Sequence, residues 1–158
     1  MPEFFKKLGY YTAHLGKFHH SPRKRFPYDF VHRDENTASK FIAGYREEKP
    51  LLLVVCTHPP HTPWVKNTTY DCSEIDLPPN FVDTRETRLD RANYYSDVTL
   101  MDSILGNVLR SLEKHGRKSC FDPILFAGRS LYLAAANPAA RRPFIMVQRA
   151  LERRDKVG

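Results

Sequence analysis

Leu51 to Cys56 reads Leu-Leu-Leu-Val-Val-Cys, six apolar residues without a polar interruption. An uninterrupted run of that length is the pattern of a strand buried on both faces, as in a parallel sheet covered by helices. Pro50 stands immediately before it and ends a stretch of helical periodicity from about Glu35 to Glu48. That stretch places Phe41, Ile42 and Tyr45 on one face and has Asp34 as its N-cap. Further on, Met101, Leu105, Val108 and Leu112 recur at helical spacing with Ile104 and Leu109 beside them. They predict a long helix from about Arg85 to His115, closed by Gly116, with these apolar positions in the core.

Upstream, Glu3 to Leu8 predicts a short helix, with Gly9 as its left-handed C-cap and Tyr10 to Leu15 as a strand. Gly16 to Phe30 and Trp64 to Asp83 read as proline-containing loops. After Gly116 the pattern weakens. Ile124 to Phe126 and Pro143 to Val147 are expected as short strands, and Pro138 argues against a helix in the alanine-rich stretch from Ala134 to Ala140. The alternation of helix and strand predicts an α/β layered fold with a small, mostly parallel sheet and flanking helices. One face of that sheet is expected to stay partly bare, and the segment after Gly116 to pack poorly.

The chain has 158 residues, 41% hydrophobic and 27% charged, which suits one globular domain. No apolar run approaches the roughly 20 residues that span a bilayer. The start, Met-Pro-Glu-Phe-Phe-Lys-Lys-Leu, has no signal-peptide core, so the expectation is a cytoplasmic chain or one whose N-terminus lies further upstream. The formal net charge is +7, with clusters at Arg23-Lys24-Arg25, at Arg141-Arg142 and near the C-terminus. Such an excess attracts polyanions, sulfated or phosphorylated groups among them, although a solvated basic surface has the same composition. No helix-turn-helix, zinc-finger or RNA-binding signature accompanies it, so no specific nucleic-acid partner is expected. Cys56, Cys72 and Cys120 are an odd count without Cys-x-x-Cys spacing, which argues against a zinc site and a disulfide framework. Cys56 reads as a small core residue.

Candidate chemistry clusters in two places. Gly16-Lys17-Phe18-His19-His20 sets a lysine and two histidines just beyond a predicted strand, where they can meet an anion or transfer a proton. His58-Pro59-Pro60-His61 leaves the apolar strand with two imidazoles on a loop stiffened by proline. No carboxylate or cysteine stands at ligand spacing there, so anion binding or proton transfer fits better than metal ligation. An incidental surface loop has a similar composition in both cases. Gly128-Arg129 adds a guanidinium suited to bidentate sulfate or phosphate binding. There is no Gly-x-Ser-x-Gly elbow and no Walker-type phosphate loop.

Taken in order, these pieces resemble the sulfatase family. Gly9-Tyr10-Tyr11-Thr12-Ala13-His14-Leu15-Gly16-Lys17-Phe18-His19 is similar to the family's second signature, with Leu15 a departure from the smaller or β-branched residues preferred there. Leu51 to Trp64 resembles the family's apolar strand ending in a His-x-Pro-His loop. Tyr94-Tyr95-Ser96-Asp97-Val98-Thr99-Leu100-Met101-Asp102 resembles its long helix. Pro27-Tyr28-Asp29-Phe30, Glu35-Asn36 and Leu77-Pro78-Pro79-Asn80 are most similar to the heparan N-sulfatase (sulfamidase) branch. The match runs from about Glu3 to Gly116. Residues 117–158 are a degraded match, in which Gly128-Arg129-Ser130-Leu131-Tyr132 and Arg142-Pro143-Phe144-Ile145-Met146-Val147 resemble the next two family segments.

The resemblance implies one incomplete domain over 1–158 with a partial alkaline-phosphatase-like fold. It implies hydrolysis of sulfate esters or N-sulfate groups by a formylglycine hydrate, with calcium holding the sulfate. Lys17 matches the lysine on the sulfate oxygens, His19 the histidine at the formylglycine hydroxyl, His61 the histidine near the leaving-group oxygen, and Arg129 the basic residue at the sulfate. Sulfated carbohydrates or small sulfate esters are the implied partners, in a family often exported or lysosomal. No Cys-x-Pro-x-Arg or Ser-x-Pro-x-Arg occurs in the chain, and no early Asp-Asp pair. Where Ser-Asp-Asn-Gly or Ser-Asp-His-Gly belongs stands Arg117-Lys118-Ser119-Cys120-Phe121-Asp122-Pro123, with Asp122 as the relic of one metal ligand. A fragment with an internal deletion or frame disturbance is the expectation. It would be inactive alone and hold no calcium, or act as a non-catalytic binder of sulfated glycans.

Overall fold

Strand formation starts from the apolar run. In the computed structural model, which describes residues 1–18, 21–115, 131–135 and 146–147, Leu51–Cys56 is strand β3 and every residue of it is buried. Tyr11–Gly16 forms β1 and Phe30–His32 forms β2, while Leu131–Ala135 and Met146–Val147 are β4 and β5. The sheet order is β2-β1-β3-β4-β5. β1 runs parallel to both β2 and β3, whereas β3–β4 and β4–β5 are antiparallel. The architecture is α/β, with a parallel unit of three strands. The expected small parallel sheet is present as β2-β1-β3, and β4 joins its edge antiparallel.

Helix α1 (Pro2–Lys7) precedes β1, α2 (Ala38–Gly44) links β2 to β3, and α3 (Arg85–Lys114) follows the long loop after β3. On one face of the sheet Ala13, Leu15, Leu51, Leu53 and Val55 pack with Ile42 and Tyr45 from the α2 side and Val108 and Leu112 of α3. Thr84 caps α3 by accepting from the Thr87 main-chain N–H at 3.1 Å. Gly9 follows α1 at φ +85°, the left-handed conformation expected of it.

Several expectations are corrected. The opposite sheet face is not bare: Leu52, Val54 and Cys56 are buried, with Phe5, Tyr10 and Tyr28 packed against them. The expected helix from Glu35 to Glu48 is a 3₁₀ turn at Glu35–Thr37 followed by α2. It ends early because Tyr45 turns to extended geometry (φ −66°, ψ 120°), buries its ring and donates its hydroxyl to the Lys49 carbonyl at 2.7 Å. Asp34 does cap that turn, accepting from the Asn36 N–H at 2.9 Å. Leu109 is 44% exposed, since one residue beyond Val108 lies about 100° round the helix, off the buried stripe. Ala134 and Ala135, which begin the stretch where no helix is expected, belong to β4, and residues 136–140 lie outside the described residues. Of the strand expected from Pro143 to Val147, only Met146–Val147 is described, and Ile124 to Phe126 and Cys120 lie outside the described residues. No described helix is long and apolar enough to cross a membrane.

Asp29 ties α1 to β1. Its carboxylate accepts from the Thr12 N–H at 2.8 Å and the Thr12 hydroxyl at 2.9 Å, and pairs with the Lys6 ammonium at 2.8 Å. Burial alone would raise this carboxyl, but the hydrogen bonds from Lys6 and Thr12 outweigh it and hold Asp29 below the ordinary 3.8. A carboxyl lowered in the folded state adds stability that is present above its unfolded value and lost as pH falls through the folded value. Stability is therefore expected to fall below about pH 4 through this group. Urea melts of Asp29→Asn should show a shallower loss between pH 5 and pH 3 than those of the unaltered chain. Parallel pH profiles would remove Asp29 from the acid response.

Candidate functional site

β1 and β3 run side by side in register, with Gly16 opposite Cys56 at the end of both strands. Lys17 and the 57–63 loop therefore leave the sheet at the same end. The two strand ends are joined there by a hydrogen bond from the Lys17 N–H to the Cys56 carbonyl at 2.8 Å. Gly16 has φ +87°, and a Cβ on it would lie 1.9 Å from that carbonyl oxygen. Only glycine allows the approach that brings Lys17 next to the end of β3.

Beneath this junction His14 is fully buried, with its Nε2 3.4 Å from the Cys56 sulfur. Its ring meets those of Phe18 at 4.8 Å and Tyr28 at 5.2 Å. Cys56 is thus the core residue expected, and among the described residues no disulfide forms. The 57–63 loop is held at several points. The Thr57 hydroxyl donates to the Pro59 carbonyl at 2.8 Å, the Trp64 indole to the Pro60 carbonyl at 3.1 Å, and the His61 N–H to the His58 carbonyl at 3.0 Å. The His61 Nδ1 faces the carbonyl of Thr62. A carbonyl only accepts, so Nδ1 carries the proton and Nε2 is left for a ligand.

Two carboxylates position this region through partners far away in the chain. Glu35, 4% exposed, takes both the main-chain N–H and the Nδ1 of His58, each at 2.7 Å. Asp97, also buried, accepts from the Val65 N–H at 3.2 Å and pins the chain beyond the loop to α3. Residues 23 and 32 positions apart in the chain leave no spacing signal, which is why sequence reasoning missed both roles. Trp64 stacks edge-on to Tyr94 of α3 at 5.5 Å, closing the same side.

Of the candidate residues, the structure brings the segments bearing Lys17 and His61 to one end of the sheet. His19, Arg129 and Asp122 lie outside the described residues. Among the described residues no three His, Cys, Asp or Glu side chains gather to hold a metal ion. A cavity of about 290 Å³ lined by Tyr11, Phe41, Tyr45, Arg46 and Glu47 lies at the other end, where β1 begins. Its Arg46 guanidinium is committed to the carbonyls of Ala43 and Tyr45, at 2.6 and 3.0 Å. This cavity and the chemistry-bearing loops are therefore at opposite ends of the sheet. Ligands of open α/β sheets bind beyond strand C-termini, which favours the loops. No protein-family model and no curated protein matches this chain.

Proposed function

We propose that this chain carries the anion-contacting half of a sulfatase-type site, in an incomplete alkaline-phosphatase-like fold, and binds sulfated ligands without hydrolysing them. The supporting observation is the shared end of β1 and β3, where the register of Gly16 with Cys56 sets the Lys17 segment beside the His61 loop. Lys17 supplies a point charge for sulfate oxygens. His61 supplies Nε2, which donates to an oxyanion when protonated and accepts a proton when neutral. His19 and Arg129 complete the contact set that the resemblance implies. The heparan N-sulfatase likeness makes sulfated carbohydrate the ligand class. Calcium belongs to the parent family, and no step here runs through it.

The 158-residue chain has no Cys-x-Pro-x-Arg or Ser-x-Pro-x-Arg to supply the formylglycine. Without its nucleophile a covalent mechanism has no first step. The purified chain is expected to release no sulfate from an aryl sulfate or from N-sulfoglucosamine, with or without added calcium. Robust metal-dependent release would overturn that part. Heparin binding is expected to be salt-sensitive and to weaken about tenfold in Lys17→Ala and in His61→Ala, as befits loss of one charge-assisted contact.

The second reading assigns polyanion binding to the surface. Arg23–Arg25 forms an exposed 3₁₀ turn with no acidic residue in it, on a chain of net charge +7. Heparin affinity unchanged in both variants but reduced by Arg23→Ala with Lys24→Ala would select that reading over the site at the strand ends.

A further inference from the structure

A loop histidine beside a buried carboxylate has its proton placed for it. Glu35 stands in the 3₁₀ turn before α2, and both of its carboxylate oxygens are given to one residue. Oε1 accepts from the His58 main-chain N–H and Oε2 faces His58 Nδ1, each at 2.7 Å. A carboxylate accepts and does not donate, so a neutral His58 carries its proton on Nδ1 and its lone pair on Nε2. The carboxylate is 4% exposed and the imidazole 56%, so the pair is anchored at its inner end and open at its outer end. The bonds from Thr57 to Pro59, from Trp64 to Pro60 and from His61 back to His58 keep the loop from following the ring.

We infer that Glu35 is the positioning residue of this site, locking His58 as the Nδ1–H tautomer and presenting its Nε2 as a fixed proton acceptor beyond the end of β3. The acceptor suits a water, a hydroxyl or an amine N–H, not an anion, and it extends the site past the charge contacts proposed above. It stands whether or not those contacts meet sulfate, because it rests on the Glu35–His58 geometry alone. His32 supplies an internal contrast. Its Nδ1 accepts from the Asp34 N–H at 3.2 Å, so its proton belongs on Nε2.

The test is long-range ¹H–¹⁵N NMR of the imidazoles in the full chain at pH 8, with His58 assigned through His58→Gln. The expected spectrum has His58 protonated on Nδ1 and His32 protonated on Nε2. In Glu35→Gln the amide oxygen keeps the obligate main-chain N–H, and the amide NH₂ turns to Nδ1, which must then accept. The His58 proton should move to Nε2. Diethyl pyrocarbonate gives a second readout that a purely structural role would leave unmoved. The Nε2 lone pair attacks a carbonyl carbon, the bridging C–O bond breaks, ethyl carbonate leaves, and the Nδ1 proton passes to solvent. Acylation of His58 should slow about tenfold in Glu35→Gln, as its outward lone pair is lost. His58 protonated on Nε2 in the unaltered chain overturns the inference, as does a Glu35→Gln variant with tautomer and rate unchanged. If that variant does not fold, the contrast between His58 and His32 in the unaltered chain still decides.

Discussion

Gly16→Ala is expected to abolish cooperative folding. The added Cβ would lie 1.9 Å from the Cys56 carbonyl oxygen and 3.0 Å from its carbon, both backbone atoms of the neighbouring strand. Neither can move aside without parting β1 from β3 and breaking the bond from the Lys17 N–H. The left-handed φ of +87° adds about 1–2 kcal/mol for any residue with a Cβ. Together with the clash the penalty exceeds about 4 kcal/mol, a large share of the 5–15 kcal/mol that stabilises a typical domain. Gly9→Ala is the matched control. Its φ is +85°, but nothing lies within 4 Å of the added Cβ, so only the conformational cost of about 1–2 kcal/mol applies. Thermal unfolding followed by circular dichroism compares the two. Equal, small shifts in Tm would mean that β1 and β3 do not meet in this register.

Leu53→Ala should cost about 3–4 kcal/mol. Leu53 has no exposed surface, and it belongs to the cluster that includes Leu15, Ile42, Val108 and Leu112. Strand neighbours on both sides and helices above leave little room for the site to collapse, so the cavity term is retained. Leu109→Ala removes the same atoms from a side chain that is 44% exposed and should stay within about 0.5 kcal/mol. Urea denaturation of both variants measures the difference. A Leu109→Ala loss as large as that of Leu53→Ala would put Leu109 back in the core, where its place in the sequence pattern had it.

Those two leucines show what the sequence makes legible. Burial on both faces needs no partner information to be read, so Leu51–Cys56 could be assigned as a strand from the run alone. The helix α3 was equally plain from its period, yet the edge of its stripe was not, because a neighbour's packing decides whether Leu109 is covered. Phe30–His32 is too short for a period of two to register against the loop around it. The antiparallel return of Leu131–Ala135 onto β3 is set by long-range pairing that composition does not carry. At the candidate site, Lys17 and His61 announced themselves by residue type at the ends of predicted strands. Glu35 did not, since its partner is 23 residues away and its carboxylate points into the fold.

The order β2-β1-β3-β4-β5 also bears on how the chain is made. When β3 leaves the ribosome, β1 is already available for one of its edges, but the strand for the other edge begins at Leu131, 75 residues after Cys56 (131 − 56). At about 5–20 residues per second that interval is roughly 4–15 s. Throughout it the nascent chain displays an unpaired edge of Leu-Leu-Leu-Val-Val-Cys, free of charge and of proline, which is the composition that recruits foreign strands. The edge of β3 that β4 covers is thus the one completed last during synthesis.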